Sequence, residues 1–348
     1  MQVKIQLAGR RNHRPLLETK NMKALVLENY NTPFELKEMP DPVAGPGQVL
    51  VKVHASGVNP LDLKIMAGQA AHAQPRLPAI LGIDLAGEVV AVGSGVTRFK
   101  PGDGVYGMTG GIAGIPGSLA EFAAVDADLL ALKPQSLSMR EAAALPLIVI
   151  TAWEAIIDKA NIQRGQTILV HGGAGGVGHI AVQLAKAKGA NVYATVRPES
   201  EALILKYGAT PIDYTILSTE EYVHLHTQDQ GFDIILDTVG GPVLDASFKA
   251  AKRYTGHVVS ILGWGTHSLA PLSFRSATYS GVFTLYPLIS GQGRAHHGEI
   301  LKAATALIDE GKITPLVHGR TFNLAQIADA YRSVQQGKTN GKIVVTVE

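Results

Sequence analysis

The sequence predicts an α/β protein built from a compact β-barrel and a doubly wound parallel sheet. Three observations predict it. Residues 167–170 (Thr-Ile-Leu-Val) form a short apolar run that enters a glycine cluster and then an Ala-rich, helix-forming segment. Further runs with strand character, at 191–197, 211–214, 232–240 and 256–263, continue this alternation of strand and helix, as a parallel sheet requires. Residues 22–145 carry β-branched runs punctuated by Gly and Pro, the pattern of short antiparallel strands.

Composition bounds the answer. The 348 residues are 46% hydrophobic and 17% charged, with 38 glycines, enough for about two domains and a large core. A formal charge of +2 implies no bulk attraction to nucleic acid or membrane. Cysteine is absent, which removes disulfides, thiolate nucleophiles and thiolate metal ligands together. No apolar run approaches the ~18 residues of a membrane span. The expectation is a reduced, soluble, cytoplasmic protein.

Residues 1–21 hold Lys4, Arg10, Arg11, Arg14 and Lys20 against a single acid, Glu18. A basic, acid-poor start is the cue for an organelle transit peptide. The stretch is short of serine and has no amphipathic period, so it is read as a disordered extension. The first strand then begins at Met22.

In 22–145, strands are expected at 48–55 and 87–93. A Pro101-Gly102-Asp103-Gly104 turn leads into another, and one more begins near Gly117. Gly110 to Gly117 is read as a loop, either mobile beside a cleft or plain surface.

The glycine cluster carries the sharpest signal. Gly173, Gly175 and Gly178 fit G-x-G-x-x-G between strand and helix, where glycine permits a tight turn and close backbone approach to a pyrophosphate. The helix that follows presents N–H donors and a positive dipole to phosphate. Ala174, Gly176 and Val177 complete the turn.

Four motifs in order carry a resemblance: Gly57-Val58-Asn59-Pro60-Leu61-Asp62, Leu81-Gly82-Ile83-Asp84-Leu85-Ala86-Gly87, the Pro-Gly-Asp run, and the glycine cluster. From Met22 to Glu348 the chain resembles the medium-chain dehydrogenase/reductase superfamily. That resemblance implies a GroES-like barrel domain (22–145 and 285–348) and a Rossmann domain (146–284). Zinc alcohol dehydrogenases in it place a Cys ligand where this chain has Asn59 and a His ligand where it has Ile83. Neither side chain replaces those ligands, so no metal is expected. The chain is similar instead to the zinc-free quinone oxidoreductase (zeta-crystallin-like) and enone reductase branch.

The resemblance puts Asn59 and Lys64 in the pocket as catalytic candidates that polarise a carbonyl oxygen. Their other readings are a turn cap before Pro60 and a solvated helix lysine. Thr151 matches a threonine near the nicotinamide, or bonds back within its own helix. At the end of the second sheet strand, Thr195-Val196-Arg197 offers an arginine and no acid, the choice for NADP over NAD. Tyr214 corresponds to a tyrosine near the 2′-phosphate. Val239 ends a loop beneath the cofactor. Leu262 and Gly263 are expected beside the nicotinamide, off the carboxyl edge of their strand; Trp264 and His267 follow as possible pocket residues.

Residues 280–287 are read as a final strand with an exposed edge, which in the family pairs across a twofold, and Phe283 there lies near the carboxamide. A homodimer is expected. Lys338 and Asn340 match the phosphate-side loop. His224, His226, His296 and His297 are read as solvated loop histidines rather than metal ligands.

The function these readings imply is NADPH-dependent hydride transfer to a quinone or to the double bond of an α,β-unsaturated carbonyl. Two alternatives stand beside it: an enoyl-thioester reductase, and an NADPH-binding structural or RNA-binding protein of zeta-crystallin type, favoured only by the basic tail.

Overall fold

The computed structural model describes residues 20–337 and 339–347. Among the described residues, sixteen strands are arranged in three sheets. β1 (Asn21–Leu27) lies between β2 (Glu35–Pro40) and β4 (Ala79–Ile80) in a small antiparallel sheet. The first strand thus starts at Asn21, paired with Pro40, one residue inside the stretch assigned to the extension. Residues 1–19 lie outside the described residues.

β3 (Gln48–Gly57) is the spine of a seven-stranded sheet, flanked by β5 (Asp84–Val92), β7 (Phe122–Asp126) and β16 (Val344–Thr346). β6 (Gly104–Met108), β8 (Leu130–Leu132) and β15 (Phe322–Asn323) complete it. Alternation explains the strand: Val49, Val51 and Val53 are buried in one cluster with Leu85, Val89, Val105 and Val125, as a period of two demands. The 110–117 loop is not plain surface. Gly110 to Ile112 and Gly117 are buried, and Gly117 N–H donates to the Ile80 carbonyl at 2.8 Å.

The third sheet is wholly parallel, in the order β11-β10-β9-β12-β13-β14. Its strands are β9 (Thr167–Val170), β10 (Asn191–Val196), β11 (Thr210–Asp213), β12 (Ile234–Asp237), β13 (His257–Ser260) and β14 (Thr278–Gly281). Ile168 and Val170 pack into the largest core, which also receives Ile343–Val345, while Leu169 faces the opposite layer with Ile235, Val258 and Phe248. Both faces are covered, which is why these strands read as apolar runs.

Helices α1 (Pro60–Met66), α3 (Pro146–Trp153) and α4 (Gly176–Ala187) approach the carboxyl edge of this sheet or pack on it, while α2 (Met139–Ala143) packs on β3 and β5 of the seven-stranded sheet. α3 continues as a π-helical turn over Glu154–Lys159. The expected strand at 280–287 is corrected: β14 stops at Gly281, where its partner β13 ends at Ser260, and Tyr286 opens a short helix. No helix among the described residues is long and apolar enough to cross a membrane.

Candidate active site

A cavity of about 480 Å³ opens between the carboxyl edge of the parallel sheet and α1. Its sheet side is the glycine turn. Gly175 is the N-cap of α4, and Ala174, Gly175, Gly176 and Val177 line the cavity. Gly173 and Gly178 do not. They let the helix close on the strands: a Cβ on Gly178 would stand 2.0 Å from the Gly172 carbonyl, and one on Gly173 2.6 Å from Ala194 Cβ.

His179, in the first turn of α4, also lines the cavity. Its Nδ1–H donates to the Gly175 carbonyl at 2.9 Å, and its Nε2 accepts the Leu316 N–H at 3.2 Å. Burial pushes it down to about 4, so the ring is neutral. One turn on, Gln183 bonds both the carbonyl and the N–H of Thr314.

The barrel side is a buried polar network. Lys342 is only 8% exposed and lines the cavity. Its Nζ donates to the Val58 carbonyl at 2.9 Å and to Asn59 Oδ1. Asn59 Nδ2 donates to Asp84 Oδ2 at 2.8 Å, and Asp84 Oδ1 accepts the Leu147 N–H at 2.8 Å. Asp62 accepts the Asn59 backbone N–H at 2.8 Å. Burial pushes Asp62 up to about 7 and Asp84 up to about 6, and it lowers Lys342. A buried cation with two carboxylates behind it follows the rule that interior charges are paired.

This network corrects the reading of Asn59. The residue lines the cavity, but both ends of its amide are spent on protein partners. It is not a free donor for a carbonyl oxygen. Lys64 differs. It lines the same cavity, one turn along α1, and makes no ion pair among the described residues.

The cavity mouth is aromatic. His72 lies 4.8 Å from the Trp264 ring and 6.3 Å from Phe283, centre to centre, and all three line the cavity. Burial, then the neighbouring Lys64, lower His72. His267 is turned away, bonded to Asp245 and to the Trp264 carbonyl.

Thr151 bonds back within its own helix and also lines the cavity; its Oγ1 donates to the Leu147 carbonyl at 2.7 Å. It also meets Thr284 Oγ1 at 3.1 Å. Thr284 reaches Glu154 Oε2 at 2.9 Å, and Glu154 Oε1 meets His297 Nε2 at 3.2 Å. The histidine reading needs correction here. All four named histidines sit on helices, and His297 is fully buried.

Leu262 and Phe283 line the cavity; Gly263 does not, since its Cα packs on the Tyr279 hydroxyl, 2.2 Å from where a Cβ would sit. Val239 is half exposed outside the lining, in a turn whose N–H groups at Val239 and Gly240 are held by buried Asp237. Arg197 and Tyr214 also lie outside it, at the ends of β10 and β11. They are joined by a hydrogen bond from Arg197 Nε to the Tyr214 hydroxyl at 3.0 Å. Asn340 is exposed, while its neighbours Thr339, Gly341 and Lys342 face the cavity. Lys338 lies outside the described residues.

Sequence reasoning missed Lys342, His179, Thr284 and Glu154 as site residues. Asp84 had a signal: it is a charge in the apolar run Leu81-Gly82-Ile83-Asp84-Leu85-Ala86, and a buried charge needs a partner. Thr284 and Glu154 had none.

Residues 207–345 match the family model of zinc-binding dehydrogenases, and residues 45–135 that of the alcohol dehydrogenase GroES-like domain. The chain is 35% identical to an NADPH-dependent alkenal/one oxidoreductase of Arabidopsis thaliana, over 94% of this chain and 80% of that protein. An alcohol dehydrogenase superfamily protein from Novosphingobium aromaticivorans superimposes with a TM-score of 0.92 at 56% identity, covering 94% and 100% of the two chains. The quinone oxidoreductase from Coxiella burnetii gives 0.77 at 30% identity, covering 94% and 100%. Although the first family model is described by zinc, no group of three or more metal-binding side chains occurs among the described residues.

Proposed function

This chain belongs to the medium-chain dehydrogenase/reductase superfamily, in the zinc-free quinone oxidoreductase and alkenal/one reductase branch, and from that premise we propose an NADPH-dependent reductase. Its acceptor is a quinone or the double bond of an α,β-unsaturated carbonyl. The observation that carries this reading is a single cavity lined by the glycine turn on one side and by Lys64, Thr151 and Thr284 on the other.

The residues fit the cofactor. Gly175 and Gly176 keep the N-terminus of α4 free of side chains on the cavity side, as pyrophosphate binding requires. Leu262, Phe283 and Thr151 are placed for the nicotinamide. Arg197, steadied by Tyr214, is the cation for a 2′-phosphate, with no acid at the end of β10 to favour NAD. NADPH, when bound, supplies the hydride.

The chain contributes position and electrostatics. Lys64 offers an unpaired ammonium to the carbonyl oxygen on which negative charge develops. Asn59 shapes the floor instead of touching the substrate, because Lys342 and Asp84 hold its amide. Trp264, Phe283 and His72 narrow the mouth and keep water from the reacting pair. An electron-poor acceptor held in contact with the donor needs little more.

Oxidation of NADPH and of NADH, each with a quinone and with a short 2-alkenal, tests this. Faster NADPH oxidation with either acceptor is expected. Tight NADPH binding without turnover overturns the reductase and favours a binding protein. The homodimer belongs to the same proposal: β14 is bonded on one side only and Tyr279, Phe283 and Tyr286 near it are exposed, an edge that invites pairing. Sedimentation of a monomer at micromolar concentration removes it.

A further inference from the structure

Hydride transfer to a quinone or an enone leaves an oxyanion that must gain a proton. We propose that Thr284 delivers it, reloaded by Glu154 with His297 behind, so that the chain Thr284–Glu154–His297 is the proton line of this site. This rests on the reductase reading above.

A count of hydrogens carries the argument. The two threonine hydroxyls own one hydrogen each. Thr151 gives its own to the Leu147 carbonyl at 2.7 Å, so towards Thr284 it only accepts. The Thr284 hydrogen is then wanted twice: by Thr151 Oγ1 at 3.1 Å and by Glu154 Oε2 at 2.9 Å. A Glu154 carboxylate draws it inward. A Glu154 carboxyl group donates to Thr284 instead and releases the Thr284 hydrogen towards Thr151 and the cavity. The proton on Glu154 therefore decides which way Thr284 points.

The surroundings suit that role. Thr151 and Thr284 line the cavity and are each only 6% exposed, so both are screened from bulk water. Glu154 opens the π-helical turn that follows α3, a local widening found most often at functional sites. His297 is fully buried, bonds the carboxylate through Nε2, and leaves Nδ1 without a partner. A buried polar atom with no partner calls for an explanation, and this one stands at the inner end of the chain of bonds. The Glu154 side chain remains 16% exposed, which gives solvent a way to reload it.

The step balances. The hydride bonds to the β-carbon of an enone, and the C=C electron pair moves to the carbonyl oxygen as an enolate. That oxygen takes the Thr284 proton, Thr284 takes the proton from Glu154, and Glu154 takes one from water. In a quinone the hydride ends on one carbonyl oxygen, the ring electrons shift to leave the other oxygen anionic, and that oxygen takes the Thr284 proton. Thr284 is the catalytic residue; Glu154 and His297 are positioning residues that act through it.

The test compares wild type with Thr284→Ser, Thr284→Val and Glu154→Gln, reading kcat, the solvent deuterium isotope effect on kcat, and NADPH affinity by fluorescence. Thr284→Ser should retain activity. Thr284→Val and Glu154→Gln should lose about 10²–10⁴-fold in kcat, as expected for a lost proton donor, with NADPH affinity unchanged and the wild-type isotope effect altered. If Glu154→Gln does not fold, the Ser and Val variants still decide. Equal kcat and equal isotope effects in wild type, Thr284→Val and Glu154→Gln overturn the proton line while leaving the reductase intact. A wild-type protein that turns over no acceptor overturns both.

Discussion

The floor of the cavity and the outer edge of the parallel sheet solve opposite problems. On the floor, Lys342, Asn59, Asp84 and Asp62 are buried and joined by short hydrogen bonds before any ligand arrives. At the edge, Arg197 and Tyr214 stand in solvent with a single bond between them. The floor is costly to build and fixed in shape; the edge is cheap, and in the proposed function it is completed by the cofactor's 2′-phosphate. Substitutions in the floor should therefore be read in stability, and substitutions at the edge in cofactor choice.

Lys342→Met is the sharpest way to break the contrast. It leaves two buried carboxylates facing no cation and strips a donor from Val58 and Asn59, so unfolding free energy should fall by about 3–5 kcal/mol, measured by urea titration. A loss no larger than a surface substitution causes would mean that the floor is not built in advance.

Acidity separates the two regions next. Burial holds Asp62 at about 7, whereas the unfolded chain releases that proton near the ordinary value of about 3.9. The folded state therefore binds more protons across this window, and the stability contribution present below pH 4 is lost as pH rises to 7. Asp62→Asn should flatten that decline by on the order of 2 kcal/mol, seen in thermal melts from pH 4 to pH 8. An unchanged slope would place the titration elsewhere.

At the edge, Arg197→Ala should weaken NADPH by about 10–100-fold, the size of a lost charge-assisted contact, and leave NADH affinity and the melting curve alone. Tyr214→Phe should cost NADPH only about two- to fivefold, because it removes one neutral partner of the arginine and no charge. Equal losses for the two cofactors in Arg197→Ala would show that the edge does not read the phosphate.

The fold was legible because its signals are local. The glycine turn, the apolar runs of β9 to β13 and the missing acid after Val196 each lie within a few residues. The floor was not, because its bonds join distant residues: Lys342 meets Asn59 across 283 positions. A side-chain amide whose donor and acceptor are both claimed from afar looks the same in sequence as a free one. Residues 282–285 show the converse. Val-Phe-Thr-Leu has strand propensity, but β14 ends where β13 stops offering partners, and context overrides propensity. Freed from the sheet, Phe283 and Thr284 face the cavity.

One more consequence follows from His179. Its Nδ1–H and Nε2 tie the glycine turn to Leu316, a bond pair that only a neutral ring can make. Because burial holds that ring at about 4, the tie persists through the range in which Asp62 and Asp84 change charge. Acidification from pH 8 to pH 5 thus alters the field inside the cavity while the clasp between the glycine turn and Leu316 stays shut. The site tunes its voltage without changing its calibre.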